Sequence, residues 1–302
     1  MGKLPLITAV AIAMWVLPAS AEDGSKAIPA KPAVSLAQLS AAPADPREII
    51  RRSVAAELEN SKRAKNYTFL QRTEDRELDE GGQVKSTQSK TYDVTMLQGS
   101  SYRRLIERND RPLLPKEEKK EQDKLRTSLA DRRHETPAQR EKRQSEYDNR
   151  PGRNRAMLNE IPDAFDFRFR ADEEVDSRPV YVVEGTPRAG YQPQNADARI
   201  LLPKLKLTVW IDKADFDWVR INAEVIDTIT WGLCLFKMSP GGRFELQQTR
   251  VNDEVWLPKH TRVLLSARIA FVKKLNMEQE ATFKNFRKFQ SDSQIVSSSV
   301  AP

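Results

Sequence analysis

The spacing of apolar residues changes several times along this chain, and each change marks an element. The first apolar stretch, LPLITAVAIAMWVL at residues 4–17, follows Lys3 and ends in Pro18, Ala19, Ser20 and Ala21. A charged start, a short apolar core and small closing residues describe a secretory signal peptide over 1–21, cleaved after Ala21. The run is shorter than the roughly 20 residues that cross a bilayer, so no transmembrane segment is expected after cleavage. Glu22 stands where a lipid-anchored chain would carry cysteine. Residues 22–45 are rich in Ala, Pro, Ser and Lys, too poor in apolar bulk to offset the entropy of ordering, and read as a disordered linker.

At Asp45, Pro46 and Glu48 the pattern becomes helical, with an N-cap acid, proline at the first helical position and an early glutamate. Ile50, Val54 and Leu58 then recur every four residues to about Lys65, while Arg51, Arg52, Glu57 and Glu59 are expected on the other faces.

From residue 66 the period drops to two. Residues 66–78, 83–97 and 102–107, separated by the reversals DEGG and QGSS, predict a three-stranded antiparallel meander. Residues 115–155 interrupt it with an almost wholly charged stretch, predicted as solvated helices broken near Pro137 and Pro151. Leu125 and Leu129 form its apolar pair. This insertion reads either as a lid or as a solvated excursion without a role. Strands then resume. Phe165, Phe167 and Phe169 alternate with charged residues. Leu207, Val209 and Ile211 share a face, as do Val219, Ile221, Ala223 and Val225. Residues 244–258 predict one strand, 261–274 another with Leu265 and Phe271 on one side, and 280–289 a last one before a Ser-rich tail, 291–302, expected to be disordered.

About ten strands with one apolar face each, and a single amphipathic helix, predict a mostly β (α+β) domain over 46–290: a strongly curved antiparallel half-barrel wrapped around its N-terminal helix. One helix underfills such a sheet, so an apolar concave cavity is expected. Its candidate lining is Phe167, Phe169, Val209, Ile211, Val219, Ile221, Leu265 and Phe271, residues that equally read as plain core.

Composition adds little chemistry. The formal charge of +7 becomes +6 once Lys3 is removed, and in an exported chain it suits solubility, an anionic surface or a glycan; no nucleic-acid partner is expected. Cys234, the single cysteine, lies in apolar ITWGLCLF and reads as an inert buried thiol. His134 and His260 are the only histidines and have no evident partner set, and no HExxH, GxSxG or phosphate-cradling glycine loop occurs. Asp212, Asp215 and Asp217 read as a hairpin reversal; the glycine of a calcium loop is missing. The sequon at Asn66 matters only in a eukaryotic secretory host. No enzyme, cofactor or metal is expected.

The order helix, meander, helical insertion, then GTPRAGYQPQ, LKLTVWIDKADFDWVRINAEV and NDEVWLP resembles exported bacterial proteins of the outer-membrane lipoprotein-sorting (LolA-like) superfamily, from about Pro46 to Phe289. The resemblance implies a half-barrel whose apolar face holds acyl chains or senses lipoproteins. On it, the chain is expected to be a soluble periplasmic or otherwise secreted carrier for a lipid or lipidated protein. The alternative is a non-enzymatic envelope scaffold that binds a protein partner through the insertion.

Overall fold

The computed structural model describes residues 45–98, 100–231, 236–269 and 273–289. The expected signal peptide, linker and tail, and Cys234 and Phe271, lie outside them.

Helix α1 (Pro46–Ala64) starts where its cap predicts, with the Asp45 carboxylate accepting the Arg47 N–H at 3.0 Å. Ile49, Ile50 and Val54 are buried as the stripe requires, but so are Ser53, Glu57, Asn60 and Ser61. Glu57 therefore does not belong to an outer face, and the docked side of α1 is half polar.

The meander forms as β1 (Tyr67–Leu78), β2 (Val84–Leu97) and β3 (Ser100–Arg108), extended by the two-residue β4 (Arg111–Pro112). The insertion is two helices, α2 (Pro115–Arg133) and α3 (Pro137–Ala164). Helix α3 runs through Pro151 unbroken, and its last turns leave the charged stretch behind: Met157, Leu158, Ile161 and Ala164 enter the core at helical spacing. Arg47 clasps this end to α1, donating from Nε to the Pro162 carbonyl at 3.0 Å and pairing with Asp163 at 2.6 Å.

The remaining elements are β5 (Phe165–Val175), β6 (Arg178–Pro187), short α4 (Ala196–Leu201) with a 3-10 turn (Leu202–Lys204), β7 (Leu205–Asp212), β8 (Trp218–Val225), β9 (Ile229–Trp231), β10 (Phe236–Met238), β11 (Arg243–Val251), β12 (Val255–Ile269) and β13 (Lys273–Lys288). Positive φ at both residues of Asn109–Asp110, Asp176–Ser177 and Asn252–Asp253 gives the tight reversals whose twist suits flanking strands. The last of these corrects the expected strand division. The break falls at Asn252 and Asp253, and VWLP joins TRVLLSARI in one long β12. Pro258 is tolerated inside it because the register with β11 shifts there, Gln247 facing His260 and Gln248 facing Pro258.

All strands join one curved, open sheet in the order β4-β3-β2-β1-β13-β12-β11-β8-β7-β6-β5, with β10 paired to the end of β12 and β9 to β10. The main core lies between the concave face, α1 and the end of α3. Gly185 on β6 shows how tightly its rim packs, because a Cβ there would sit 2.7 Å from Cε1 of Phe167 on β5. Gly185→Ala is expected to cost about 1–3 kcal/mol by overpacking, read as a lower urea midpoint at unchanged slope.

Candidate functional site

The concave candidates separate once the register is known. Val209, Ile211, Ile221 and Leu265 all enter the main core, between 0% and 4% exposed, and Phe167 packs on its edge. Phe169 is half-buried, its ring edge-on to Tyr181 at 6.4 Å. Val219 is the exception. It lies on the opposite face with Val180, Val182, Trp210 and Trp256, because β8 carries one extra residue against β7: Val209 faces Ile221, yet Ile211 faces Trp218. The bulge exchanges the two faces, so Trp218 rather than Val219 turns inward with Ile221.

The helices fill the middle of the concave face, and the space they leave lies toward the β9–β10 hairpin. There Leu205, Val225, Ile229, Trp231, Val263 and Leu265 surround a cleft of about 60 Å³ whose walls are almost entirely carbon. Of the sequence candidates among the described residues, only Leu265 lines it. Its outer wall is thin: β9 and β10 have three residues each, and among the described residues β10 pairs with β12 at Phe236–Ile269, Lys237–Arg268 and Met238–Ala267, with the Ser239 N–H donating to the Ser266 carbonyl at 2.9 Å just beyond.

A second feature, buried and polar, lies under α1. Glu57 on α1 and Asp217 at the start of β8 are both buried, and Gln248 on β11 donates to Glu57 Oε2 at 3.4 Å. Burial, reinforced by the Asp217 charge, pushes the Glu57 carboxyl up to about 8. Burial raises Asp217 to about 7, with Asp215 and Asp212 adding to it and Arg63 and Arg250 opposing. Oδ1 of Asp217 has no hydrogen-bond partner. Beside the pair, Arg63, Asp215, Arg250 and Trp256 border a polar hollow of about 300 Å³.

The other acids of this hairpin are structural. Asp212 accepts the N–H groups of Ala214 and Asp215, each at 2.9 Å, and Nε of Arg178 at 2.6 Å, so its carboxylate is engaged by its own turn. Nε2 of His260 lies 3.9 Å from Oε1 of Glu280 on the neighbouring β13, and His134 caps α2. Nothing places either histidine beside the buried carboxylates. No group of three or more metal-ligating side chains occurs among the described residues, and no helix among them is long and apolar enough to span a bilayer.

The fold and cleft define an open antiparallel half-barrel plugged by an N-terminal helix and retaining an apolar pocket at one lip. No family model matches the sequence, and neither does any curated protein. Solved structures of similar fold include a putative outer membrane lipoprotein-sorting protein domain from Vibrio parahaemolyticus, 11% identical over 82% of this chain and 95% of that one, with a TM-score of 0.34. A LolA superfamily protein from Nitrosomonas europaea is 9% identical over 81% and 93%, at 0.29. A chain of the MucA/MucB complex of Pseudomonas aeruginosa is 10% identical over 82% and 100%, at 0.25. The first two carry the superfamily name that the sequence resembles; the architecture itself rests on the sheet topology above.

Proposed function

We propose that this chain is an exported, periplasmic binding module that takes an acyl chain of a lipid or lipidated protein into the cleft under β9–β10, without catalysing a reaction. The observation that carries the reading is the carbon-lined cleft on the concave face, open beside a thin hairpin wall. At about 60 Å³ it admits the end of a chain, and deeper entry requires β9–β10 to swing away from β12. Each methylene buried contributes about 0.8 kcal/mol, so a few suffice for selective capture and more follow as the wall opens.

The test is native mass spectrometry of protein purified from an envelope fraction, followed by lipid extraction. An acyl species bound near one to one, and lost in Val263→Glu while circular dichroism stays unchanged, is the expected result. Trp231→Ala, which removes part of the wall without adding charge, should weaken uptake by about tenfold, the scale of a lost aromatic contact. A clean apo mass with no uptake of added fatty acid would sink the carrier reading and favour the scaffold, in which the charged insertion binds a protein partner.

A further inference from the structure

The concave face does not end with the apolar core. Leu265 on β12 faces Met277 on β13; further along that strand Phe283 faces Gln71 on β1, which faces Tyr92 on β2. Paired residues share a side of a sheet, so Tyr92, and Lys90 two residues before it, stand on the same face as the core. Here α2 rather than α1 covers the sheet, and the two do not close on each other. Between them runs a groove of about 860 Å³.

The groove is basic from both sides. Helix α2 contributes Lys116, Lys119, Lys120 and Lys124 to its wall. The sheet contributes Lys90, Arg103 and Arg108, together with Tyr92, Tyr102 and Leu105. The acids among the lining are Glu121 and Asp123. Lys124 is engaged by Glu121, and Arg108 by Glu117 at 3.3 Å, while Arg103 lies over the Tyr92 ring at 4.2 Å. Lys90, Lys116, Lys119 and Lys120 have no ion-pair partner among the described residues. A solvated face of a charged helix usually interleaves its signs; here like charges converge on a concavity instead.

The roof is fixed in place. Near its start α2 is tied to β3 by the Arg108–Glu117 pair, and near its end Arg132 donates to the carbonyls of Leu97 and Ser100. Arg143 on α3 adds bonds to Ser100 Oγ at 2.8 Å and the Gln98 carbonyl at 3.2 Å while holding Glu135 at 2.6 Å. The insertion is thus anchored to the β2–β3 reversal, and the groove exists before any ligand arrives.

We infer that this groove is a binding site for a ligand carrying two or more phosphates, its charges met by the α2 lysines and Lys90 and its body resting on Tyr92, Tyr102 and Leu105. Lysine is a point-charge phosphate binder that needs no fork geometry. A phosphomonoester brings close to two negative charges and three acceptor oxygens in a small volume, a density that a run of carboxylates on a peptide does not reach. Lys116 to Lys124 spans about 12 Å of helix at 1.5 Å per residue, room for phosphates at both ends of a sugar-sized body. A phosphorylated lipid headgroup and a soluble phosphorylated compound share this chemistry. The site stands apart from the acyl cleft and does not depend on it.

The experiment is calorimetric titration of the exported chain with inorganic tripolyphosphate at low salt, for wild type, for Lys116→Gln/Lys119→Gln/Lys120→Gln, and for a control of equal charge loss, Lys62→Gln/Lys259→Gln/Lys274→Gln. Affinity should fall about tenfold or more in the groove variant and by less than about threefold in the control, since screening confines the effect to nearby charges. Equal losses in both variants, or no binding by wild type, would overturn the inference; so would a hexaglutamate peptide binding as tightly as tripolyphosphate. Cosedimentation with cardiolipin vesicles, whose headgroup carries two phosphates, against phosphatidylcholine vesicles then separates the sources. Cardiolipin binding by wild type that is lost in the groove variant assigns a lipid headgroup, and its retention in that variant, or its absence in wild type, assigns a soluble phosphorylated ligand. Val263→Glu should leave tripolyphosphate binding unchanged, so failure of the acyl reading and failure of this one remain distinguishable.

Discussion

Thermal stability should fall as pH rises from about 5 to 9, by of the order of 10 °C, and Glu57→Gln should remove about half of that slope, with Glu57→Gln/Asp217→Asn removing most of it. Below its ordinary value near 4.5 the Glu57 carboxyl is protonated in both the folded and unfolded chain, and its contribution is constant. Between there and about 8 the unfolded chain ionises while the folded chain keeps its proton, so stability declines steadily with rising pH. Above about 8 the folded protein carries the buried charge and the loss is complete. Over that window each step of one in pH removes about 1.4 kcal/mol, which puts the total at a few kcal/mol for this group. Asp217 adds to the same slope, since its carboxyl is raised to about 7. Glutamine at position 57 keeps a partner for Gln248 and has nothing to ionise, so the variant should be more stable than wild type at pH 9 and close to it at pH 5. Melting curves at four pH values decide it. An unchanged slope in Glu57→Gln and in Glu57→Gln/Asp217→Asn would show that the pair does not hold its protons.

Trp218→Ala should cost about 3–5 kcal/mol, the usual range for emptying a large aromatic site in a core. The indole is 2% exposed, inside the main core, and its Nε1–H donates to Ser53 Oγ at 2.9 Å. Ser53 in turn donates to the Ile50 carbonyl at 2.9 Å within α1. Trp218 is therefore one pin between the helix and the sheet, beside the paired bonds of Asn60 with the Trp256 backbone at 2.8 Å, and its loss should loosen α1 as well as leave a cavity. Ser53→Ala should cost about 1–3 kcal/mol, because it strands the indole N–H in a dry place. In a double-mutant cycle with Trp218→Phe, the combined cost should be smaller than the sum of the single ones. Strict additivity in denaturant unfolding would mean that the hydrogen bond contributes nothing.

Most strands were legible because alternation survives wherever one face meets solvent and the other the core. Phe165, Phe167 and Phe169, or Leu205, Leu207 and Val209, need no tertiary knowledge. Helix α1 and its cap were equally plain. What the pattern hid depends on single residues that break local rules under tertiary control. Val219 continues an unbroken alternation with Ile221 and Ala223, and only pairing with β7 exposes the bulge that sends it to the other face. Pro258 and Pro151 read as breaks, yet one sits at a register shift and the other inside α3. Glu57 carried a usable signal: it follows Ile50 by seven residues and Val54 by three, both helical spacings, so it falls on the apolar stripe. The basic groove had none, since Lys90 and Lys119 meet only after the sheet curves under α2.

Among the described residues, the two ends of the main strand path leave rows of unpaired backbone groups on β4 and on β5, besides the short outer edge of the three-residue β9. A barrel would abolish them, and this fold cannot close without losing its concave mouth. The chain handles each margin differently. Strand β4 is two residues long and ends in Pro112, which has no N–H to offer. Strand β5 is long, but Asp166, Arg168, Arg170, Glu173 and Glu174 stand along its exposed positions, and its ladder with β6 slips between Phe169 and Ala171. A second copy approaching either margin would meet a missing donor or a kinked and charged strand. The same openness that gives the concave face its access therefore does not turn the sheet into a template for its own polymerisation.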